Sequence, residues 1–151
     1  MQKEVVKNWL VPSDLSEIQK ISAKVLAFLK PLSLSEAYQF DVRLCLEEAL
    51  INAMKYGNQL RRSVPVSLRV GYDSSRVWIR VEDQGDGFDV KELGDCTRGD
   101  SLTKHSGRGV HLIHQLMDEV QYNDKGNEIL MVKLIQNGIG SKSASGEDSW
   151  M

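Results

Sequence analysis

The chain has 151 residues, a length that suits one domain with a sizeable core. Its hydrophobic fraction of 41% and charged fraction of 26% are typical of a soluble globular protein. A net charge of −2 does not mark the chain as a binder of nucleic acid or anionic membranes, so we expect neither direct nucleic-acid binding nor membrane binding. We find no signal peptide and no apolar run of transmembrane length, and Cys45 and Cys96 lack metal-ligand spacing. These features predict a cytoplasmic protein with free thiols.

The first 30 or so residues predict a strand followed by an amphipathic helix. Residues 4–11 are rich in Val, Trp and Leu, which favour an extended strand. Asp14 and Glu17 have the spacing of a capping box, which predicts a helix start. Apolar residues then recur at helical spacing as far as Leu29, and Pro31 ends the helix. The helix therefore has one buried stripe and one solvated face.

A second, longer helix carries the polar side chains that first suggest chemistry. It is predicted to begin at a capping box in residues 33–36 and to run to about Tyr56, with Gly57 as its C-terminal cap. Glu48 and Asn52 are four residues apart and share one face of this helix, beside its apolar stripe. A carboxylate can accept a proton, and a carboxamide oxygen is a hard ligand suited to Mg²⁺. From this helix alone, a solvated Glu48 and a locally hydrogen-bonded Asn52 are the simpler interpretation.

The middle of the chain predicts a β-hairpin that ends in a carboxylate. Two segments with alternating apolar residues, 66–72 and 77–81, flank a turn of Asp and Ser. Asp83 continues the apolar phase of the second segment, so we expect its side chain on the inner face of the sheet. A carboxylate there is costly unless it is hydrogen-bonded. Gly85 and Gly87 follow, and glycines let the backbone approach a ligand closely.

The remaining segments predict a long loop, a third helix and a second hairpin. Residues 89–106 have weak periodicity, and loops of this length are usually functional or disordered. The run Gly107-Arg108-Gly109 leads into a helix that is predicted to begin at Val110. Two strands follow, at 120–123 and 128–135.

The order of these elements predicts the fold class and the domain boundaries. Runs of strands and helices in this order favour an α+β fold, a two-layer sandwich with a mostly antiparallel sheet and helices on one face. Residues 1–136 are expected to form the single domain. Residues 137–151 are Gly, Ser, Lys and acidic, so they predict a disordered C-terminal tail.

Three of these features in combination describe a nucleotide site. The first is the helix face with Glu48 and Asn52, which could serve chemistry at a metal-bound phosphate. The second is Asp83, which can accept a hydrogen bond from the exocyclic amine of adenine. The third is the glycine run at 107–109, because backbone N–H groups at a helix N-terminus attract phosphates. Each is weak alone, since a single Gly-x-Gly is more often only a turn.

At this point the chain resembles a superfamily of ATPases that includes gyrase, heat-shock chaperones, histidine kinases and MutL. Residues 48–53 look like its N box, and residues 83–87 look like its adenine-binding D-x-G-x-G box. Residues 107–109 look like its second glycine box, and the three motifs occur in the family's order. The resemblance covers roughly residues 5–135 and implies the Bergerat ATP-binding fold.

Within this superfamily the chain is most similar to the small bacterial anti-sigma-factor serine kinases of the RsbW type. The short length and the stretches 52–58, 117–120 and 126–128 carry this resemblance. Many relatives have a Thr in the last strand that holds the adenine through water. Leu130 or Met131 stands there, so this chain lacks the hydroxyl that makes that contact.

The resemblance implies a role for each matching residue. Glu48 is expected to act as general base on the attacking hydroxyl, and Asn52 to coordinate Mg²⁺ that bridges the ATP phosphates. Asp83 is expected to bind the adenine amine. The resemblance implies further nucleotide-binding positions, which are Lys55, Gly85, Gly87, Gly107, Arg108, Gly109 and Val110. ATP and Mg²⁺ are thus the implied cofactors.

The resemblance also implies an activity and partners. Such kinases phosphorylate a serine or threonine on an anti-anti-sigma partner of the STAS fold, and their dimer holds a sigma factor inactive. We therefore expect an ATP-dependent serine/threonine protein kinase and anti-sigma factor that forms a homodimer. Two alternatives stay open. One is an ATP-binding partner-switching module that sequesters a regulator without phosphoryl transfer, and the other is a scaffolding domain that binds no nucleotide.

Overall fold

Five strands and three α-helices make up the part of the chain that the computed structural model describes, residues 3–85 and 104–136, with the backbone alone described at 104–109. The strands are β1 (Val5–Val11), β2 (Val66–Tyr72), β3 (Arg76–Glu82), β4 (Glu119–Tyr122) and β5 (Glu128–Leu134). The helices are α1 (Ile18–Phe28), α2 (Glu36–Asn52) and α3 (Lys104–Leu116). The predicted C-terminal tail, 137–151, lies outside these ranges, as does most of the predicted loop.

The strands form one antiparallel sheet in the order β1-β2-β3-β5-β4. Alternate residues of each strand face opposite sides. On one side, buried side chains such as Leu68, Ile79 and Met131 pack against the apolar stripes of the helices to form the core. On the other side, β2 and β3 present polar side chains. The expectation of an α+β two-layer sandwich with helices on one face is confirmed.

Two helix starts differ from the capping boxes that the sequence suggested. Asp14 caps a short 3₁₀ turn at Leu15–Glu17, where its carboxylate accepts from Ser16 N at 2.9 Å. Ser35, rather than Ser33, caps α2, and its hydroxyl accepts from Tyr38 N at 3.0 Å. Ser33 is instead left-handed, with φ of 51°, and it ends the preceding turn.

The end of α2 also differs from prediction, because the helix widens instead of stopping at a glycine cap. A π-helical turn spans Ala53–Gly57, and Asn58 N donates to Ala53 O at 2.8 Å. The left-handed residues that follow are Gln59 and Leu60, with φ of 55° and 56°. Gly57 has no positive φ, so its role is not that of a left-handed cap. Wide turns of this kind often occur at functional sites.

The third helix begins earlier than the sequence suggested. The structure starts α3 at Lys104, so Gly107-Arg108-Gly109 lies within the helix rather than before it. Val110, Ile113 and Met117 are buried and anchor the following turns. Once a helix is anchored, each further residue adds a hydrogen bond at little cost, which explains how the helix extends through two poor helix formers.

Lys133 ties the helices to the sheet at the end opposite to Asp83. It lies on the core side of β5, and its ammonium donates to Leu116 O at 3.0 Å, at the C-terminus of α3. The same ammonium is 3.5 Å from the Asp41 carboxylate of α2. The Tyr38 hydroxyl donates to Lys133 O at 2.7 Å, and burial raises the pKa of that hydroxyl. These contacts fix α2 relative to α3.

Within the described ranges, no helix is long and apolar enough to cross a bilayer.

Candidate functional site

The polar face of α2 is presented as the sequence predicts. Glu48 and Asn52 are both half-buried, one turn apart, beside the buried residues Cys45 and Ala49. Burial raises the pKa of the Cys45 thiol to about 12, so the thiol stays protonated at neutral pH. In the part of the chain that the structure describes, Glu48 and Asn52 make no side-chain hydrogen bond or ion pair. No described residue therefore occupies their oxygens.

Asp83 stands at the end of β3, where its half-buried carboxyl group lies against the end of α2. A Cβ built on Gly57 would overlap this carboxyl group, so the two segments approach as closely as their backbones allow. Oδ1 of Asp83 accepts from Gly85 N at 2.8 Å. Burial raises the pKa of Asp83, and the hydrogen bond from Gly85 opposes that shift. The structure thus brings Asp83 to the C-terminal end of α2, the helix that carries Glu48 and Asn52.

Gly85 makes a second close approach in the same place. A Cβ on Gly85 would overlap the carbonyl oxygen of Gly57. The segment after β3 therefore crosses the π-helical turn at a distance that only glycine permits at both positions. The first glycine of the predicted adenine box has a clear steric reason in this packing, whereas Gly87 lies outside the described residues.

Two asparagines that the sequence analysis did not include in the site hold the backbone around Asp83. Asn58 is fully buried, and its Oδ1 accepts from Gln84 N at 2.8 Å. Asn127 donates from Nδ2 to Asp83 O at 2.7 Å, and Asp83 N donates to Asn127 O at 2.9 Å. In the sequence they lie in the stretches 52–58 and 126–128, which carry the resemblance to the RsbW type but suggested no role for these two residues. The available signal was only their place beside motifs that had already been identified.

The other predicted positions are less closely tied to this site. Lys55 is half-buried, and its ammonium is 5.7 Å from the ring centroid of the exposed Tyr56. Val110 is buried in α3, and the structure describes only the backbone at 107–109. The N–H groups left free by a helix belong to its first turn. Because α3 begins at Lys104, Gly109 and Val110 lie beyond that turn.

The last strand lacks a polar group toward the site, as expected. Leu130 pairs with Arg80 and faces the open side of the sheet, whereas Met131 is fully buried in the core. Neither side chain can replace a hydroxyl.

The donor set near α2 fits Mg²⁺ held mainly by phosphates. No cluster of three or more His, Cys, Asp or Glu side chains occurs in 3–85 and 110–136 that could hold a metal ion by itself. Mg²⁺ in phosphate sites usually takes one or two protein oxygens and completes its shell with phosphates and water. Asn52, a half-buried oxygen ligand without a protein partner among the described residues, meets that requirement.

Comparison with known proteins agrees with this geometry. The family profile of the histidine kinase-like ATPase domain matches residues 11–133. The serine-protein kinase RsbW of Bacillus licheniformis is 33% identical over 102 residues, which cover 63% of this chain and 64% of the relative. The same-named proteins of Bacillus subtilis (strain 168) and Oceanobacillus iheyensis are 31% and 28% identical over 102 residues, again 63% of this chain and 64% and 65% of those relatives. The resemblance to small RsbW-type serine kinases is confirmed, and the similarity spans just under two thirds of each relative's length.

The close approach at Gly57 yields a stability and binding prediction. Gly57→Ala places a methyl group into the Asp83 carboxyl, so we expect a loss of about 1–3 kcal/mol in the free energy of unfolding, as for other overpacked sites. Asp83 must also move, so ATP affinity measured by calorimetry should fall. Chemical denaturation gives the change in stability.

Gly71→Ala is the matched control for this substitution. A Cβ on Gly71 would overlap the Trp78 ring on the open side of the sheet, away from Asp83. It should destabilise the protein without weakening ATP binding. Equal ATP affinity in both folded variants would contradict the placement of the pocket at Asp83.

Proposed function

Because the chain belongs to the histidine kinase-like ATPase family, we propose that it is an ATP-dependent serine/threonine protein kinase and anti-sigma factor. The single observation that carries this proposal is the arrangement at the end of α2. There a carboxylate and a carboxamide with no protein partner among the described residues share the helix whose end packs against Asp83. Glu48 and Asn52 suit phosphoryl chemistry, and Asp83 suits a purine amine.

Each side chain has one task in the proposed reaction. The Asp83 carboxylate accepts a hydrogen bond from the adenine amine, with Gly85 and Gly87 shaping the pocket. Asn52 is the protein ligand for Mg²⁺, which neutralises phosphate charge when bound. Lys55 and the segment that contains Gly107, Arg108, Gly109 and Val110 bind the nucleotide from the phosphate side.

Glu48 performs the proton transfer. The serine hydroxyl oxygen bonds to the γ-phosphorus while the bond from that phosphorus to the β–γ bridging oxygen breaks. The hydroxyl proton passes to the Glu48 carboxylate, and ADP leaves. In phosphoryl transfer the protein contributes mainly positioning and electrostatic stabilisation. One base, one metal ligand and a purine acceptor are therefore a sufficient set.

The proposed partners are those of a partner-switching system. We assign the phosphorylated substrate to a STAS-domain anti-anti-sigma protein and the sequestered protein to a sigma factor, both in the cytoplasm. The support is the name that the relatives share, serine-protein kinase RsbW. The aligned region is about 64% of those relatives, so activity and partners are proposals for this chain.

The direct test is transfer of phosphate to a candidate partner. The protein is incubated with Mg-ATP and a STAS-domain protein, and the partner's mass is measured. We expect a gain of about 80 Da per phosphate. Stabilisation of the protein by ATP in thermal unfolding without any mass gain would favour the alternative, an ATP-binding module without phosphoryl transfer.

The assignment of the base is tested by a single-atom change. Glu48→Gln removes the proton acceptor and keeps the size of the side chain, so the transfer rate should fall about 10²–10⁴-fold, the usual contribution of a general base. ATP affinity should stay within about twofold of the wild type. Glu47→Gln is the control, because its side chain is turned about 100° around the helix. If the Glu48 variant transfers phosphate at the wild-type rate, the base is another group.

The assignment of the purine acceptor is tested in the same way. Asp83→Asn replaces an acceptor by a group that can present a donor, so ATP affinity should fall at least about tenfold. Glu82→Gln serves as the control, because this neighbouring carboxylate is exposed and points to the other side of the sheet. Calorimetric titration with ATP measures both variants. Unchanged affinity in the Asp83 variant would defeat the assignment.

The proposed homodimer has a surface that suits it. The open side of the sheet exposes apolar residues, among them Val6 at 44%, Leu10 at 72% and Leu134 at 54% relative exposure. The same side carries charges of both signs, which are Arg69, Arg80, Glu82 and Glu128. A two-fold axis places a surface against its own copy, so a patch with both signs can be self-complementary.

A charge on this surface should separate the protomers. Leu10→Asp replaces the most exposed of these apolar side chains, on the edge strand β1, with a carboxylate, so we expect a monomer by light scattering after size-exclusion chromatography. Phe40→Asp is the control, since Phe40 is an exposed apolar residue of α2, at 54%, and lies off the sheet. If the Leu10→Asp variant keeps the oligomer mass of the wild type, the dimer interface does not lie on this face.

A further inference from the structure

We propose that Asn58 is a positioning residue of the nucleotide site, which fixes the direction of the Asp83 carboxylate through the backbone of Gln84. The inference rests on the proposed function, because it takes Asp83 as the group that binds adenine. Asn58 does not contact the nucleotide in this proposal; it accepts a hydrogen bond from Gln84, the residue that follows Asp83. It is separated from the predicted magnesium ligand, Asn52, by the π-helical turn.

The side chain of Asn58 has two arms with different partners. Its nitrogen donates to Val64 O at 3.0 Å, to Pro65 O at 3.2 Å and to Ser13 Oγ at 3.1 Å. Its oxygen accepts from Gln84 N at 2.8 Å. The nitrogen arm joins the chain before α1 to the loop before β2. With the nitrogen fixed in this way, the planar carboxamide can direct its oxygen only toward Gln84.

The oxygen arm ties an exposed segment to the buried scaffold. Gln84 is exposed whereas Asn58 is fully buried, so the bond from Gln84 N satisfies the buried carboxamide oxygen and holds the Gln84 backbone in place. This contrast separates the oxygen arm from the nitrogen arm, whose carbonyl partners lie beside the buried Ser13 and are part of the packed scaffold.

Asn127 holds the same short segment from the opposite side. It bonds both the N–H and the carbonyl of Asp83, so Asn127, just before β5, holds the carbonyl end of the peptide between Asp83 and Gln84, and Asn58 holds its N–H end. Gly85 N occupies Oδ1 of Asp83. Oδ2 has no hydrogen-bond partner in the described part of the chain and is the oxygen that we assign to the adenine amine. Its direction depends on both asparagines.

The test compares Asn58→Ala with Ser13→Ala, a variant that weakens the nitrogen arm but keeps the bond to Gln84. The Kd for ATP and for GTP is measured by calorimetry with each full-length protein, and the ratio of the two constants is the readout. Partial unfolding weakens both constants by the same factor, so the ratio is insensitive to stability. Guanine has a carbonyl where adenine has its amine, so the ratio reports how Asp83 is directed.

We expect Asn58→Ala to reduce the preference for ATP over GTP about tenfold, a change comparable to the loss of one hydrogen bond. Ser13→Ala should keep the wild-type preference even if its melting temperature falls. An unchanged ratio in Asn58→Ala would overturn the proposal while the proposed function stands. A wild-type protein that binds neither nucleotide would overturn the proposed function and this inference with it.

A second measurement keeps the proposal testable if Asn58→Ala does not fold. Amide hydrogen exchange in the wild-type protein follows Gln84 N–H directly. Because this N–H is bonded to a buried acceptor, we expect it to exchange at least about tenfold more slowly than an exposed, unstructured amide. Exchange at the unstructured rate would show that Asn58 does not hold the segment, and the proposal would fail.

Discussion

The site depends on one steric constraint, which is that residues 57 and 85 carry no side chain where the end of α2 meets the segment after β3. Gly57 and Gly85 each leave room for the other segment, and Asp83 fills the space beside them. At the same place α2 widens into a π-helical turn, and residue 57 approaches the sheet without a positive φ. The helix that carries Glu48 and Asn52 is thereby joined to the strand that carries Asp83.

Polar groups in this region fall into two sets that the hydrogen bonds distinguish. Asn58 and Asn127 are buried and bonded within the protein, so they belong to the scaffold that shapes the segment. Glu48 and Asn52 are half-buried and have no side-chain bond among the described residues, although both lie beside the core. Buried polar groups in a folded protein are normally bonded. Glu48 and Asn52, rather than the two bonded asparagines, are therefore the side chains that we propose to face a ligand.

The sequence predicted those parts of the fold that local periodicity encodes. The alternation in 66–72 and 77–81 located the hairpin and also the inward phase of Asp83, and the helical stripe located Glu48 and Asn52 on α2. The prediction that Gly57 is a C-terminal cap was wrong. A glycine after a helix has the pattern of a cap, and the neighbouring sequence does not show that Asp83 packs against it. Asn58 and Asn127 were missed for the same reason, since their partners are 26 and 44 residues away. The start of α3 was misplaced because propensity penalises glycines that tertiary packing tolerates.

The separation of these partners along the chain has a consequence for when the segment around Asp83 forms. The Asp83 segment is completed by a residue before it, Asn58, and by one well after it, Asn127, while Ser13 supports the former from the start of the chain. No contiguous fragment shorter than about residues 13–127 contains the whole network. Such non-local contacts form late, because loop closure has to precede them. In a newly synthesised chain, the segment proposed to bind the purine is then complete only when the last hairpin joins the sheet.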